Sequence, residues 1–137
     1  MNLARLLVRS GAVHADRPAL VLGKRVVSTY AGFAQRASAL AGSLTSALAL
    51  KPGERVAVFA TNDPGYLEIL YGAWIAGLVV VPINSRLHPK EVAFIVEDSG
   101  AAAPLSSRMN ATSFGCSLLL IGTIARPAIH APYRISR

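Results

Sequence analysis

Residues 55–83 read RVAVFATNDPGYLEILYGAWIAGLVVVPI, and the fold class is predicted mainly from this segment. It starts with a β-prone run, residues 55–60, and ends with a continuous apolar run, residues 78–83, as expected of a strand covered on both faces. Between the runs, Asp63 can cap a helix, the proline after it can occupy the first turn, and Gly77 can end the helix. The stretch therefore predicts a strand-helix-strand unit, which joins parallel strands of one sheet.

The segments before this unit predict two helices and a hairpin. Leu3, Leu6 and Leu7 lie at helical spacing, with arginines on the other side, so a first helix is expected there. Residues 19–28 predict a short hairpin around a glycine-containing connection. An i, i+3, i+4, i+7 apolar stripe over residues 30–48 predicts a second helix, capped by the threonine that precedes it.

A further helix is expected to start at Pro89, after the apolar strand. His88 is placed as its N-cap, and Glu91 lies in the first turn, where negative charge is favourable. Gly100 is placed to end it. Because strands and helices alternate along the chain, the predicted fold class is α/β, with a partial open parallel sheet and flanking helices.

Composition and charge allow one small domain and weaken a nucleic-acid interpretation. Of the 137 residues, 53% are hydrophobic and 15% are charged, which is enough to bury one core. The net charge of +7 by itself fits a nucleic-acid or anionic-membrane partner. However, residues 1–103 carry ten basic and seven acidic residues, whereas residues 104–137 carry four arginines and no acid. About half of the excess charge therefore lies in the last quarter of the chain.

A cytoplasmic location is expected. The single cysteine, Cys116, cannot form an internal disulfide, and no Cys/His spacing matches a metal site. Arg5 and Arg9 interrupt the N-terminal apolar run, so no secretory signal is predicted; a weak likeness to an organelle transit peptide is explained equally well by an amphipathic helix. The apolar run 69–83 is shorter than the roughly 20 residues of a spanning helix and contains two glycines and a proline, so no integral membrane segment is expected.

Four segments together resemble the start of the adenylate-forming synthetase family, which includes acyl-CoA synthetases, aryl-CoA ligases, luciferases and peptide-synthetase adenylation domains. In chain order they are DRPAL (16–20), TYAGF (29–33), KPGERVA (51–57) and AGLVVVPINSRL (76–87). Each string alone is ordinary turn, cap and core sequence, so the resemblance rests on their shared order. EDSGA (97–101) also matches the end of the next helix, and the resemblance covers about residues 3–103.

The resemblance implies that residues 1–103 are the N-terminal part of an AMP-binding synthetase domain. Residues 104–137 depart from the family pattern and form a divergent basic tail. Because the acids stop abruptly there, we hypothesise that the tail comes from a shifted reading frame or a truncated gene model. Translation of the locus in three frames tests this: a Ser/Thr/Gly-rich loop ending in Pro-Lys shortly downstream supports it, and an intact unrelated sequence excludes it.

The resemblance also implies a reaction for the full-length enzymes. A carboxylic acid attacks ATP to give an acyl-adenylate and pyrophosphate, and the thiol of coenzyme A then displaces AMP, so ATP, Mg²⁺ and CoA are the family's cofactors. This chemistry needs a Ser/Thr/Gly-rich loop followed by Lys to hold the phosphates. The nearest segment, residues 112–117, lacks the glycines and the Pro-Lys. The chain by itself is therefore expected to bind none of these cofactors, apart from a weak contact with CoA, and to be inactive.

One residue, Arg86, is a candidate binding residue. In some acyl-CoA synthetases an arginine at this position lies near the CoA phosphates, and the carboxyl end of a parallel strand is well placed for phosphate. A solvated surface arginine is the alternative. Tyr66 and Trp74 suggest an aromatic pocket, but their helical spacing favours core packing. No catalytic residue and no metal ligand is predicted.

Three further possibilities follow from charge and from the sheet. A small basic nucleic-acid-binding protein would show steep salt dependence of binding. A membrane-surface protein using Leu118–Ile121, Arg126 and Arg134 would float with anionic vesicles. An open edge of the sheet would favour self-association.

Overall fold

The computed structural model describes residues 2–108 and 117–120, which form four helices and six strands. In chain order the elements are α1 (Ala4–Val13), β1 (Pro18–Leu22), β2 (Arg25–Thr29), α2 (Tyr30–Ser46), β3 (Arg55–Ala60), α3 (Pro64–Ile75), β4 (Val79–Asn84), α4 (Pro89–Ser99), β5 (Ala103–Arg108) and β6 (Ser117–Leu120). Every helix and the hairpin predicted from the sequence is present.

The strands form two sheets. In the larger sheet the order is β4, β3, β5, β6; β3 is parallel to both β4 and β5, whereas β6 runs antiparallel to β5. β1 and β2 form a separate antiparallel hairpin. The predicted α/β class with a parallel sheet and flanking helices is confirmed, and Leu118, Leu119 and Leu120 lie in β6.

The prediction that the second apolar strand is covered on both faces is wrong. Val79, at the start of β4, is 48% exposed and Pro82 is also exposed, whereas Ile83 is buried. Within residues 2–108 and 117–120, β4 pairs only with β3 and is the outermost strand of its sheet. A continuous apolar run does not distinguish a central strand from an outer one. Self-association through an open edge stays a prediction.

The first helix forms where it was predicted, but its buried face differs. Ala4 and Leu7 are buried, whereas Leu3 and Leu6 are 48% and 55% exposed. Because α1 is short and contacts its neighbours along one narrow face, it buries only one pair of residues spaced i, i+3. The leucines on either side of that face stay in solvent. Of the three leucines at helical spacing, only Leu7 is therefore buried.

The predicted caps start three of the helices. The Thr29 hydroxyl and the Asp63 carboxylate each accept a hydrogen bond from the N–H three residues later, at 3.3 and 3.1 Å. His88 Nδ1 accepts from the N–H two residues later at 3.3 Å, and Glu91 Oε2 accepts from the N–H of His88 at 2.8 Å. Each bond satisfies an amide that has no partner inside its helix. The helix starts are therefore encoded locally.

Two apolar clusters hold the elements together. The larger one joins the parallel sheet to α2 and α3, and its largest fully buried side chains are Leu44, Ile69, Leu105, Val56 and Val58. The smaller one joins α1 and the hairpin to α2. Burial of a whole aliphatic side chain stabilises the fold by about 1.5–3 kcal/mol, so the larger cluster dominates.

The contact between α2 and α3 is close and contains a partly buried ion pair. A Cβ atom at Gly72 would lie 2.9 Å from Leu40 Cδ2 and 3.0 Å from the carbonyl oxygen of Ala37, so only glycine fits there. Arg36 Nε donates to Glu68 Oε1 at 2.7 Å, and Glu68 is only 6% exposed. The sequence analysis did not predict this pair. Glu68 is an acid on an otherwise apolar helix, and an acid in that position is expected to have a basic partner.

Candidate functional site

A cleft of about 600 Å³ opens beyond the carboxyl ends of β3 and β4. Its walls come from the last residues of these two strands, from the loops that follow them, and from the first turn of α3. The lining residues are Ala60, Thr61, Asn62, Tyr66, Pro82, Ile83, Asn84, Ser85 and Arg86. Ligands of open α/β sheets bind at this end of the strands, so the cleft is the candidate site.

The wall after β4 is shaped by Asn84. Its side-chain Oδ1 accepts from the N–H of Arg86 at 2.9 Å, and its carbonyl oxygen accepts from the N–H of Leu87 at 3.2 Å. Such Asx turns fix the backbone of the next two residues. The Arg86 side chain therefore starts from a fixed point on the rim of the cleft, and Arg86 is an exposed residue.

The wall after β3 is shaped by Asp63. The Thr61 hydroxyl donates to Asp63 Oδ2 at 2.9 Å, and the N–H of Asp63 donates to the Thr61 carbonyl at 2.8 Å. The other carboxylate oxygen of Asp63 caps α3. The negative charge of this carboxylate therefore lies at the amino terminus of α3, where it interacts favourably with the helix dipole.

The cleft combines one cation with neutral polar groups. Arg86 is the only charged side chain among the nine lining residues, beside the hydroxyls and amides of Thr61, Asn62, Asn84 and Ser85. The lining set contains no carboxylate, cysteine or histidine that could act as a nucleophile or base. In the part of the chain that the structure describes, no cluster of residues suited to a metal ion is found. The arrangement suits binding of an anionic group.

The structure places the sequence candidates as follows. Arg86 lies in the cleft, and Tyr66 lines it while packing against the larger apolar cluster. Trp74 is not among the lining residues; its ring meets that of Tyr71 edge to face, with centroids 5.2 Å apart. Cys116 and the rest of the segment 112–116 lie outside the described residues.

Sequence reasoning missed Thr61, Asn62 and Ser85 as lining residues. Each is one of the first two residues after a parallel strand, and this position could have identified them as lining residues.

None of the helices within the described ranges is long and apolar enough to cross a membrane.

The fold and the cleft define a class: open α/β domains that bind ligands beyond the carboxyl ends of parallel strands. Residues 7–118 match the family described as AMP-binding enzyme. The chain belongs to this family, and the resemblance seen in its motifs is confirmed.

Two of the relatives are named for different acids. The chain is 37% identical over 103 residues to the long-chain-fatty-acid–CoA ligase of Salmonella typhimurium, which covers 74% of this chain and 18% of the ligase. It is 43% identical over 74 residues to the feruloyl-CoA synthase of an Amycolatopsis species, covering 54% of this chain and 15% of the synthase. The chain thus spans less than a fifth of the length of these relatives.

Solved structures show the same fold. The N-terminal domain of FACL13 from Mycobacterium tuberculosis is 36% identical with a TM-score of 0.71, covering 77% of this chain and 27% of that domain. The NpsA N-terminal subdomain from Klebsiella oxytoca, in complex with 3-hydroxyanthranilyl-AMSN, is 25% identical with a TM-score of 0.71, covering 80% and 28%. The described sheet and helices are therefore the first part of such an N-terminal domain.

Proposed function

We propose that the chain forms the opening part of an AMP-forming acyl-CoA synthetase. Such an enzyme joins a carboxylic acid to CoA at the expense of ATP, which becomes AMP and pyrophosphate. The proposal is supported by family membership and by relatives named for joining fatty or aromatic acids to CoA. A cytoplasmic location belongs to the proposal, since a single cysteine suits a reducing compartment.

Arg86 is proposed to contact a phosphate of CoA at the rim of the cleft. The observation that carries this assignment is that Arg86 is the only charged lining residue. Its backbone is fixed at the cleft by the hydrogen bond that its N–H donates to Asn84 Oδ1. A guanidinium fork binds phosphate oxygens through two parallel hydrogen bonds.

Titration of CoA into the 137-residue chain tests this assignment. The Arg86→Ala variant is expected to bind CoA about tenfold more weakly, the loss typical of a charge-assisted hydrogen bond. Pantetheine, which lacks the phosphates, should bind both chains equally. The matched control is Lys90→Ala, because Lys90 is an exposed cation on α4 that does not line the cleft. Equal losses in both variants, or an equal loss for pantetheine, would exclude the assignment.

The 137-residue chain is proposed not to adenylate an acid by itself. Acyl-adenylate formation needs donors for the departing pyrophosphate, and these residues contain no Ser/Thr/Gly-rich loop followed by Pro-Lys. Purified chain given ATP, Mg²⁺ and either a fatty or an aromatic acid should release no pyrophosphate above background. Catalytic release of pyrophosphate would refute this part while leaving family membership intact.

A further inference from the structure

The wall of the cleft after β4 offers mainly hydrogen-bond donors to a ligand. Asn84 Oδ1 already accepts from the N–H of Arg86 at 2.9 Å, so the group that Asn84 offers is its amide nitrogen, which carries two N–H donors. The guanidinium of Arg86 also carries only donors. Ser85 can donate and accept, so Asn84 and Arg86 give this wall its excess of donors.

The wall after β3 has the opposite polarity at Thr61. The hydroxyl of Thr61 donates its proton to Asp63 Oδ2 at 2.9 Å. A hydroxyl that has given its proton to a carboxylate presents its lone pairs, so Thr61 accepts from a ligand and does not donate to it. Asn62, which can donate and accept, adds no preference.

The register of the strands brings the two walls close together. Ala60 at the end of β3 is paired with Asn84 at the end of β4 in the parallel sheet. Neighbouring strands are separated by about 4.8 Å, so the residues that follow this pair, Thr61 and Ser85, start from points about that far apart. A ligand that uses both walls must therefore carry an anionic group and an O–H or N–H group close to each other.

Coenzyme A carries such a pair of groups at two places. Its pyrophosphate is esterified to the pantoyl segment, whose hydroxyl lies a few bonds from the phosphate, and its 3′-phosphate lies next to the 2′-hydroxyl of the ribose. A fatty acid has an anionic group without a neighbouring donor. The polarity of the cleft therefore fits a phosphate with a neighbouring hydroxyl better than it fits a simple carboxylate.

We propose that Asn84 and Thr61 select a phosphate with a neighbouring hydroxyl and thereby fix the orientation of CoA, an inference that rests on the proposed function. Asn84 Nδ2 and the Arg86 guanidinium donate to the phosphate oxygens, and the Thr61 hydroxyl oxygen accepts from the neighbouring hydroxyl of CoA. The reverse orientation would bring the phosphate against the lone pairs of Thr61 and towards the carboxylate of Asp63, which repels it.

Calorimetric titration of CoA into the 137-residue chain tests the role of Asn84. Asn84→Asp keeps an oxygen that accepts from the N–H of Arg86, so the turn is retained, but the two donors are replaced by an anionic oxygen. We expect the affinity for CoA to fall about 30-fold, because the phosphate then meets a like charge. The affinity for pantetheine, which lacks phosphate, should not change.

Asn84→Ala separates ligand binding from a role in the turn alone. It removes the turn and the donors together without adding charge, and it should weaken CoA binding about tenfold. If Asn84 only shaped the turn, Asn84→Asp would bind CoA as the unchanged chain does and Asn84→Ala alone would be impaired. That result would overturn the proposal.

The role of Thr61 is tested by removing its hydroxyl. Thr61→Val keeps the shape of the side chain and should weaken CoA binding about fivefold, the loss of one neutral hydrogen bond. Thr61→Ser restores the hydroxyl and should bind CoA more tightly than Thr61→Val. Thr61→Ala is the second variant if Thr61→Val does not fold.

Two smaller ligands identify the phosphate of CoA that is bound. 4′-Phosphopantetheine contains the phosphate beside the pantoyl hydroxyl, and adenosine 3′,5′-bisphosphate contains the phosphate beside the ribose hydroxyl. The one that contains the bound pair should lose affinity in Asn84→Asp and in Thr61→Val, as CoA does. If neither ligand shows this dependence, the proposal is wrong.

Gln35→Glu is the matched control for the added charge. Gln35 is exposed on α2 and does not line the cleft, and its replacement is the same change from an amide to an acid as Asn84→Asp. This variant should bind CoA as the unchanged chain does. Circular dichroism and thermal melting confirm that each variant is folded before its affinity is compared.

Two results separate this inference from the proposed function. CoA binding that depends on Arg86 but is the same in Asn84→Asp, Thr61→Val and the unchanged chain would overturn the inference and leave the Arg86 assignment intact. If CoA does not bind, an NMR titration with glycerol 3-phosphate, a small phosphate with a neighbouring hydroxyl, decides. Binding that Asn84→Asp abolishes would support the polarity of the cleft and exclude CoA as its ligand, and no binding would exclude both.

Discussion

The central strand-helix-strand unit and the N-terminal layer, which we define as α1 with the β1-β2 hairpin, use the same residue types differently. Val56 and Val58 of β3 are completely buried, whereas Val21 and Val26 of the hairpin are 53% and 50% exposed. In the centre, aliphatic residues remove surface from water within the chain itself. In the outer layer about half of the surface of these side chains stays in water. Apolar content alone therefore does not separate buried residues from exposed ones.

The largest expected effect lies in the centre. Ile69→Ala leaves a cavity between α3 and the sheet, because Ile69 is fully buried in the larger cluster. We expect the free energy of unfolding to fall by about 2–5 kcal/mol. Urea denaturation measures this free energy. The control is Leu67→Ala on the same helix: Leu67 is 38% exposed, so the expected loss is below about 1 kcal/mol. Similar losses at both positions would contradict the assignment of the core.

The next effect concerns the ion pair between α2 and α3. Arg36→Ala leaves the buried carboxylate of Glu68 without its partner, which should lower the free energy of unfolding by about 1–3 kcal/mol. Urea denaturation of the double variant Arg36→Leu/Glu68→Leu should recover part of this loss, since no buried charge then remains. Lys90→Ala, an exposed cation, should change nothing. A double variant that is less stable than Arg36→Ala would show that the pair itself holds the helices together.

A smaller effect is expected at the start of α3. Asp63→Ala removes the acceptor for the N–H of Tyr66 and should cost about 1 kcal/mol of unfolding free energy. Asp98→Ala, on the exposed side of α4, removes an equal charge without removing a helix cap. Thermal melting compares the two, and equal melting temperatures would argue against capping by Asp63.

The smallest effect should be found in the N-terminal layer. Val21→Ser alters a side chain that is already half in solvent, so the free energy of unfolding should change by less than about 0.5 kcal/mol. Urea denaturation of this variant beside Ile69→Ala gives the full contrast between the two regions. A loss comparable to that of Ile69→Ala would mean that Val21 belongs to the core.

The sequence predicted the elements whose signals are local. Asp63 followed by proline, His88 with Glu91, and Gly77 each act within one turn of the chain, so their effects could be predicted without knowing the fold. The exposure of Val79 could not be predicted, because it depends on which strand lies next to β4.

Long-range partners were the other gap. Arg36 and Glu68 are 32 residues apart, and only the packing of α2 on α3 brings them together. For the cleft, Arg86 was found through the resemblance and through its place after a parallel strand. Thr61 and Asn62 line the same cleft as Arg86 because β3 and β4 are neighbouring strands. The pairing of these two strands cannot be predicted from a local sequence pattern.

The glycine at position 72 has an effect beyond the two helices that meet there. A helix is a stiff rod, and α3 carries Gly72 near one end and Tyr66, on the wall of the cleft, near the other. A methyl group at position 72 would push α3 away from α2 and tilt it, and the tilt would displace Tyr66 at the opposite end of the helix. The position of Tyr66 in the cleft wall therefore depends on a glycine that does not itself line the cleft.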